Sequence, residues 1–241
     1  MQSKIYGYLS SEESLGTVDG PGVRYVIFMQ GCPLRCLYCH NPETWAMNGG
    51  YKVTPKEIIT KIERYKPYFG KDGGVTFSGG EPLLQSEFLL ECLKLCKEKN
   101  IHTTLDTSGV GEGNYEKILQ WVDLVILDVK AVDEEEYRTI TGRDMSNFNN
   151  FLETCQKLGN KLWIRQVVVP NLNDDEKHMC KLAKFLKNVK NIEKIELLPY
   201  KTLGESKYKT LGINYRLAET PEMDETKCNE LEKQLKLLMG E

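Results

Sequence analysis

The chain has 241 residues, 40% of them hydrophobic and 28% charged, which is the composition of a globular protein with one substantial core. Its 32 basic and 35 acidic residues give a net charge of -3, which argues against sequence-independent binding of nucleic acid. The apolar runs are far shorter than the roughly 20 residues of a membrane helix, and residues 1–13 do not resemble a secretory signal. We therefore expect a cytoplasmic protein without a membrane span.

The hydrophobic pattern predicts strands and helices that alternate along the chain. In its first half we expect a strand at Arg24–Met29, a helix from Thr54-Pro55, a strand at Gly74–Phe77, a helix at 86–99 capped by Ser86, a strand at His102–Leu105, a helix at 115–121 and a strand at Leu124–Val129. In its second half we expect helices at 134–140 and 148–158, a strand at 162–169, a helix at 175–186, a strand at 195–198 and a terminal helix from Thr220-Pro221.

Six strands separated by helices imply right-handed crossovers and a parallel α/β sheet. The periodicity fits either an open, partial (β/α)6 barrel or a doubly wound flat sheet. Both architectures place functional residues at the carboxyl ends of the strands. The sequence has no linker-like segment, so we expect a single domain over 1–241, in which 201–219 forms a long irregular connection.

The most specific feature is a cluster of cysteines directly after the first predicted strand. Cys32, Cys36 and Cys39 are spaced C-x3-C-x2-C in a loop. Three thiolates can hold three irons of a [4Fe-4S] cluster and leave the fourth iron open to another ligand. The C-x-x-C-H pattern that ends at His40 also matches haem attachment, and the thiols could bind zinc, but the spacing favours the cluster.

The other five cysteines are expected to have no chemical role. Cys92 and Cys96 lie four residues apart on a predicted helix beside its apolar positions, which is typical of core packing. Cys155, Cys180 and Cys228 are isolated on predicted helices, and we expect them to be unreactive.

Polar residues collect at the ends of the predicted strands, where this kind of fold assembles its site. Burying such groups without partners is costly, so they should reach solvent or bind a ligand. The residues concerned are Ser78-Gly79-Gly80-Glu81-Pro82, Asp106-Thr107-Ser108-Gly109, Asp128-Val129-Lys130, Arg165 and Pro199-Tyr200-Lys201. For Arg165 an ordinary salt bridge to a helix is the alternative explanation.

These motifs together resemble the radical S-adenosylmethionine (SAM) superfamily and, within it, the activating enzymes of pyruvate formate-lyase. The residues that carry the resemblance are Thr17–Gly22, the cysteine loop with Tyr38, Cys39–Trp45, Gly79–Pro82, Asp106–Gly109, Trp163–Arg165 and Ile195–Tyr200. The resemblance implies a partial (β/α)6 radical SAM barrel over about 20–200 and a C-terminal extension over 201–241. It also implies that the ferredoxin-like insert of many related activases is missing.

The resemblance further implies the cofactors and the residues that bind them. Cys32, Cys36 and Cys39 would hold a catalytic [4Fe-4S] cluster. The residues expected to contact S-adenosylmethionine are Tyr38, Cys39, His40, Gly79, Gly80, Glu81, Asp106, Asp128, Val129, Lys130, Arg165 and Lys201. A monovalent cation would lie among Asp106, Thr107, the Ile126 carbonyl and Asp128. Lys201 stands where the nearest family members have histidine.

The implied partners are the glycyl radical loop of pyruvate formate-lyase and an electron donor such as flavodoxin or ferredoxin. Two other functions remain open on the sequence. A radical SAM enzyme acting on a small molecule or on another glycyl radical enzyme would share the cofactor site. A plain electron-transfer iron-sulfur protein would need the cluster alone.

Overall fold

A computed structural model describes residues 4–240, and its core is one eight-stranded sheet. The strands are β1 (Gly7–Gly16), β2 (Arg24–Met29), β3 (Tyr51–Val53), β4 (Gly74–Gly79), β5 (His102–Thr107), β6 (Leu124–Asp128), β7 (Leu162–Val168) and β8 (Ile192–Pro199). Their order in the sheet is β3-β1-β2-β4-β5-β6-β7-β8.

The six predicted strands are confirmed as β2 and β4 to β8, and every neighbouring pair among them is parallel. Each new strand is added on the same side of the previous one, which is the winding of a barrel. A doubly wound sheet would reverse its strand order part-way. Because the described sheet ends at β3 and β8 without joining them, the barrel is open and partial.

Two antiparallel strands were not predicted. β1 pairs with β2 and with β3. The middle of β1 is the polar run Ser10-Ser11-Glu12-Glu13, much of it exposed, so its sequence lacks the apolar alternation that indicates a half-buried strand. Pairing with the buried strand β2 holds it in the sheet.

Helices cover the sheet and largely follow the prediction. They are α1 (Pro55–Tyr65), α2 (Ser86–Glu98), α3 (Tyr115–Leu119), α4 (Glu134–Thr141), α5 (Ser146–Leu158), α6 (Glu176–Leu186), α7 (Glu205–Leu211) and α8 (Glu225–Met239). The capping box of Thr54 and Glu57 is confirmed at the start of α1. Ser86 is the first residue of α2 and not its cap, because a short 3-10 turn precedes it.

Two predictions for the C-terminal region were wrong. The segment 201–219 contains the helix α7, and α8 begins after Asp224 instead of at Pro221. The Asp224 carboxylate accepts a hydrogen bond from the Lys227 amide at 2.8 Å, and this cap sets the helix start. No helix among residues 4–240 is long and apolar enough to cross a membrane.

Candidate functional site

A cavity of about 260 Å³ lies at the carboxyl ends of the parallel strands. It contains most of the residues that the sequence indicated. Those lining it are Cys32, Cys36, Tyr38, Cys39, His40, Gly79, Gly80, Asp106, Thr107, Asp128 and Lys130. Glu81, Ile126, Val129, Arg165 and Lys201 do not line it.

The cysteine loop is held against the end of helix α4 by its backbone. The Arg35 amide donates to the Thr141 carbonyl at 2.8 Å, and the Leu37 amide donates to the Ile140 carbonyl at 3.0 Å. These bonds use carbonyls that a helix leaves free at its C-terminus. They turn the loop so that all three of its thiols face one cavity.

Burial raises the pKa of all three thiols, that of Cys36 to about 11. Iron must therefore displace protons here, because the thiolate is the form that binds metal. Residues 4–240 contain no group of three potential ligands close enough to share a single metal ion. An iron-sulfur cluster does not require such a group, since each thiolate binds a different iron.

A charged pair at the end of β6 lines the same cavity as the cysteine loop. The Lys130 ammonium binds the Asp128 carboxylate and lies 5.5 Å from the centre of the Tyr38 ring. Asp128 Oδ1 and the Tyr38 hydroxyl are buried and have no hydrogen-bond partner among the described residues. Buried polar atoms are rarely left unpaired. These two therefore indicate a place where a polar ligand binds.

The Gly79-Gly80 turn lies against the start of the cysteine loop. The Gly80 amide donates to the Met29 carbonyl and the Glu81 amide donates to the Gly31 carbonyl, both at 2.8 Å. Gly79 has a φ of +111°, and a Cβ atom there would lie 2.2 Å from the Met29 nitrogen. Glycine is therefore required at Gly79 by both its conformation and its surroundings.

Glu81 lies beneath this turn and is fully buried. Its carboxylate accepts hydrogen bonds from the Thr107 hydroxyl at 2.6 Å and from the Ser108 amide at 2.9 Å. It thereby ties the turn after β4 to the turn after β5. Burial raises the pKa of Glu81 to about 7, although these donors favour the ionised form.

The raised pKa of Glu81 predicts a measurable pH dependence. The carboxyl has a pKa of about 4.3 in an unfolded chain, so between that value and about 7 the folded protein holds a proton that the unfolded chain has released. Its contribution to stability therefore falls as the pH rises through this window. Glu81→Gln cannot titrate, so the free energy of unfolding of the parent minus that of the variant should fall by about 2–3 kcal/mol between pH 5 and 7.5. Denaturant titrations measure this difference.

Glu112→Gln is the matched control, because Glu112 is exposed. The free energy of unfolding of the parent minus that of Glu112→Gln should stay constant over the same pH range. A Glu81→Gln difference that is equally independent of pH would contradict the raised pKa.

A second acidic group, Asp106, lines the cavity near the end of β5. The Ser78 hydroxyl donates to Asp106 Oδ2 at 2.7 Å. Burial raises the pKa of Asp106, and burial together with the Asp106 carboxylate raises the pKa of Asp19 to about 6. Negative charge is thus concentrated at this side of the cavity.

Arg165 lies beside this acidic region but outside the cavity lining. Its guanidinium binds the Glu196 carboxylate at 2.8 Å and the Val18 carbonyl, so its salt-bridge partner is on the neighbouring strand β8 and not on a helix. Val129 is fully buried, and its amide donates to the Arg165 carbonyl at 2.8 Å.

The predicted contact of Lys201 is not apparent in this geometry. The Lys201 ammonium lies 2.8 Å from the Glu225 carboxylate, and the Lys201 carbonyl lies 2.9 Å from His40 Nε2. His40 thus ties the cysteine loop to the segment that follows β8.

Sequence reasoning assigned no cofactor contact to several residues of the cavity lining. They are Leu34, Asn41, Thr44, Ser78, Ser108, Val167, Leu198 and Pro199. Ser78, Ser108 and Pro199 belong to the strand-end motifs that the sequence indicated, where only their neighbours were expected to contact the cofactor. Val167 and Leu198 look like ordinary strand residues, and only the curvature of the barrel brings them to the site.

The model of the Radical SAM superfamily matches residues 26–183, which include the cysteine loop and five of the six parallel strands. The chain belongs to the radical SAM superfamily. As a radical SAM enzyme it uses a [4Fe-4S] cluster and S-adenosylmethionine, which confirms these two of the expected cofactors.

Two curated relatives of this radical SAM enzyme are similar over nearly their whole length. A protein of Clostridium pasteurianum named pyruvate formate-lyase-activating enzyme is 53% identical over 236 residues, which cover 98% of this chain and 99% of that protein. A protein of the same name from Staphylococcus aureus (strain USA300) is 44% identical over 230 residues, covering 92% of each.

Solved structures show the same fold. A domain of pyruvate-formate lyase-activating enzyme from Bacteroides vulgatus matches with a TM-score of 0.56 at 25% identity, covering 69% of this chain and 94% of that one. SuiB from Streptococcus suis, bound to its precursor peptide, matches with a TM-score of 0.65 at 18% identity, covering 86% and 44%. The second likeness concerns the fold alone.

Proposed function

We propose that this radical SAM enzyme activates pyruvate formate-lyase by removing a hydrogen atom from a glycine of that partner, which becomes a glycyl radical. The observation that carries the proposal is the 53% identity that extends over 98% of the chain and 99% of a relative named for this activity. The cavity adds support, because the residues that line it suit the two cofactors.

Cys32, Cys36 and Cys39 are proposed to bind three irons of the cluster and to leave the fourth for the amino and carboxylate groups of S-adenosylmethionine. When bound and reduced, the cluster supplies one electron to the sulfonium, which releases methionine and a 5'-deoxyadenosyl radical. The fit is supported by three cysteines that line one cavity and by two further lining residues, Asp128 and Tyr38, whose Oδ1 and hydroxyl have no hydrogen-bond partner among the described residues.

The protein's own groups would position S-adenosylmethionine. The backbone of Gly79 and Gly80 would bind the amino group of S-adenosylmethionine, while Tyr38 and His40 would line the side of the site that holds its adenine. Asp128 offers a buried oxygen that needs a donor, and Lys130 holds the other oxygen of this carboxylate. Three further residues would support the position of these groups without touching the cofactor, since none of them lines the cavity. They are Glu81, Val129 and Arg165.

A monovalent cation is proposed beside Asp106, Thr107, the Ile126 carbonyl and Asp128. Three of these residues line the cavity. A cation there would offset the negative charge of two partly buried carboxylates, those of Asp106 and Asp128. Burial raises the pKa of Asp106.

The partner's glycine loop is proposed to enter at the strand ends and to exclude water from the radical. The electron is proposed to come from a flavodoxin or ferredoxin. We also propose that the chain functions as one domain without a ferredoxin-like insert, which the single sheet over residues 4–240 supports.

The function is tested by mixing the reduced enzyme, S-adenosylmethionine and pyruvate formate-lyase from the same source under anaerobic conditions. A glycyl doublet in the EPR spectrum, with an equal yield of 5'-deoxyadenosine, is the expected result. Cleavage of S-adenosylmethionine that the partner does not stimulate, without a protein radical, would favour a small-molecule substrate. Absence of any cleavage would favour simple electron transfer.

Lys201→Ala tests the implied contact of Lys201 with S-adenosylmethionine. If the ammonium leaves Glu225 and binds the ribose or carboxylate of S-adenosylmethionine, the variant should bind this cofactor roughly threefold more weakly, which is the size of an exposed ionic contact. Equilibrium binding to the cluster-loaded enzyme measures the effect. Glu225→Gln removes the closer of the two ion pairs of Lys201, the other being with Glu222 at 3.8 Å, and should not weaken binding. Unchanged binding in Lys201→Ala would remove Lys201 from the site.

A further inference from the structure

Three arginines surround the outer side of the cysteine loop and bind its backbone carbonyls. Arg35 donates to the carbonyls of Cys32 and Leu34 at 2.8 and 2.7 Å. Arg143 donates to the Pro33 carbonyl at 3.2 Å, and Arg216 donates to the carbonyl of Arg35 itself. All three side chains belong to exposed residues and none lines the cavity. We call Arg35, Arg143 and Arg216 the arginine patch.

The charge of the arginine patch is not neutralised within the protein. None of its three guanidinium groups forms an ion pair with a carboxylate among residues 4–240, whereas Arg138 and Arg165 each do. Glu112 and Asp144 line a hollow beside Arg143, so the excess positive charge is centred on Arg35 and Arg216. The whole chain carries a net charge of -3, which makes this a local excess.

The arginine patch also lies directly against the loop that carries the proposed cluster ligands. The Arg35 guanidinium binds the carbonyl of Cys32, one of the three proposed ligands. An electron that enters here crosses only the loop, and electron transfer slows steeply with distance. The cavity side of the same loop is reserved for S-adenosylmethionine and the partner's glycine, so a reductant needs a different approach.

We infer that the arginine patch is the docking surface for a small acidic one-electron carrier protein of the flavodoxin or ferredoxin type. This inference rests on the proposed function, because it assumes a cluster at Cys32, Cys36 and Cys39. In the step that it serves, the carrier loses one electron and the cluster gains it, with no bond made or broken. Exposed charges of this kind steer encounters and contribute to affinity in a salt-dependent way.

The test compares two sources of electrons in the cluster-loaded enzyme. The variants are Arg143→Glu, Arg216→Glu and the double variant, and the carriers are a reduced flavodoxin and a reduced ferredoxin of net negative charge. Lys187→Glu is the matched control. Lys187 is exposed, forms no ion pair among the described residues, and precedes β8 at the amino edge of the sheet, opposite the loop.

Reduction of the cluster is followed by the EPR signal of its reduced form, which requires neither S-adenosylmethionine nor pyruvate formate-lyase. At low salt we expect the double variant to need at least about tenfold more of one or both carriers for half-maximal rate, and each single variant about threefold more. As salt is added, the carrier concentration that the parent needs for half-maximal rate should rise toward that of the variants, because salt screens exposed charges. Reduction by dithionite, iron content and Lys187→Glu should match the parent.

Carrier-driven rates equal to the parent's in the double variant would overturn the inference. An equal loss of reduction rate with dithionite and with the carriers would also overturn it, because the arginines would then only hold the loop in place. If the parent's cluster is reduced normally but no glycyl radical forms, the proposed function fails and the docking result still stands.

Discussion

Cys36→Ala should abolish the visible absorbance of the cluster, remove its iron and stop the cleavage of S-adenosylmethionine. Cys32, Cys36 and Cys39 are the three thiols lining the cavity, and a cluster with one open iron needs all three. Anaerobic reconstitution with iron and sulfide, followed by iron analysis and measurement of 5'-deoxyadenosine, checks the result. Equivalent losses are expected for Cys32→Ala and Cys39→Ala.

Cys92→Ala is the matched control for this series. Cys92 is fully buried on α2, so its truncation removes the same atom from an equally enclosed place. It should lower the free energy of unfolding by about 1 kcal/mol and leave the cluster and the activity intact. Cluster and activity retained in Cys36→Ala would overturn the ligand assignment, because no loss of packing could mask that result.

The residues that sequence reasoning located best are those whose spacing along the chain determines their chemistry. The three cysteines lie within one loop, so their number and separation already indicate an open cluster. The strand-end residues Gly79, Asp106 and Asp128 were predictable because parallel strands bring their carboxyl ends to one edge. The resemblance to a known family added roles that spacing alone does not determine.

The predictions that failed depend on contacts between distant segments. Nothing in the polar sequence of β1 indicates that it pairs with β2. The polar segment around α7 likewise owes its place to long-range contacts, since the Tyr208 hydroxyl donates to the Cys39 carbonyl and Lys207 binds Asn41 and Glu43. Its own sequence contains no strong apolar period that would predict the helix.

The sequence also did not separate residues that contact the cofactor from residues that only support the site. Glu81 was selected with the glycine turn as a cofactor-binding residue, and the structure shows it bonded to Thr107 and Ser108 beneath the turn. A motif shows which residues belong together but not which of them faces the ligand. That distinction requires the direction of each side chain.

The second large effect is expected from Gly79→Ala, which tests whether the end of β4 must pack closely against the end of β2, directly before the cysteine loop. At its φ of +111° an alanine is strained, and its Cβ would lie 2.2 Å from the Met29 nitrogen and 2.6 Å from the Met29 oxygen. Because these are backbone atoms, the turn must move. We expect a loss of about 2–6 kcal/mol in the free energy of unfolding from strain and crowding together. We also expect cofactor binding to be lost, measured by denaturant titration and by equilibrium binding of S-adenosylmethionine.

Gly70→Ala separates the effect of backbone strain from that of crowding. Gly70 also has a positive φ, +58°, but a Cβ atom there would meet nothing within 4 Å. Gly70→Ala should lower the free energy of unfolding by about 1–2 kcal/mol, the ordinary penalty for a non-glycine residue in the left-handed region. Its affinity for S-adenosylmethionine should be normal. If Gly79→Ala is no more costly than Gly70→Ala and keeps its affinity, the turn can shift without harm. The close packing of these two strand ends would then have no part in forming the site.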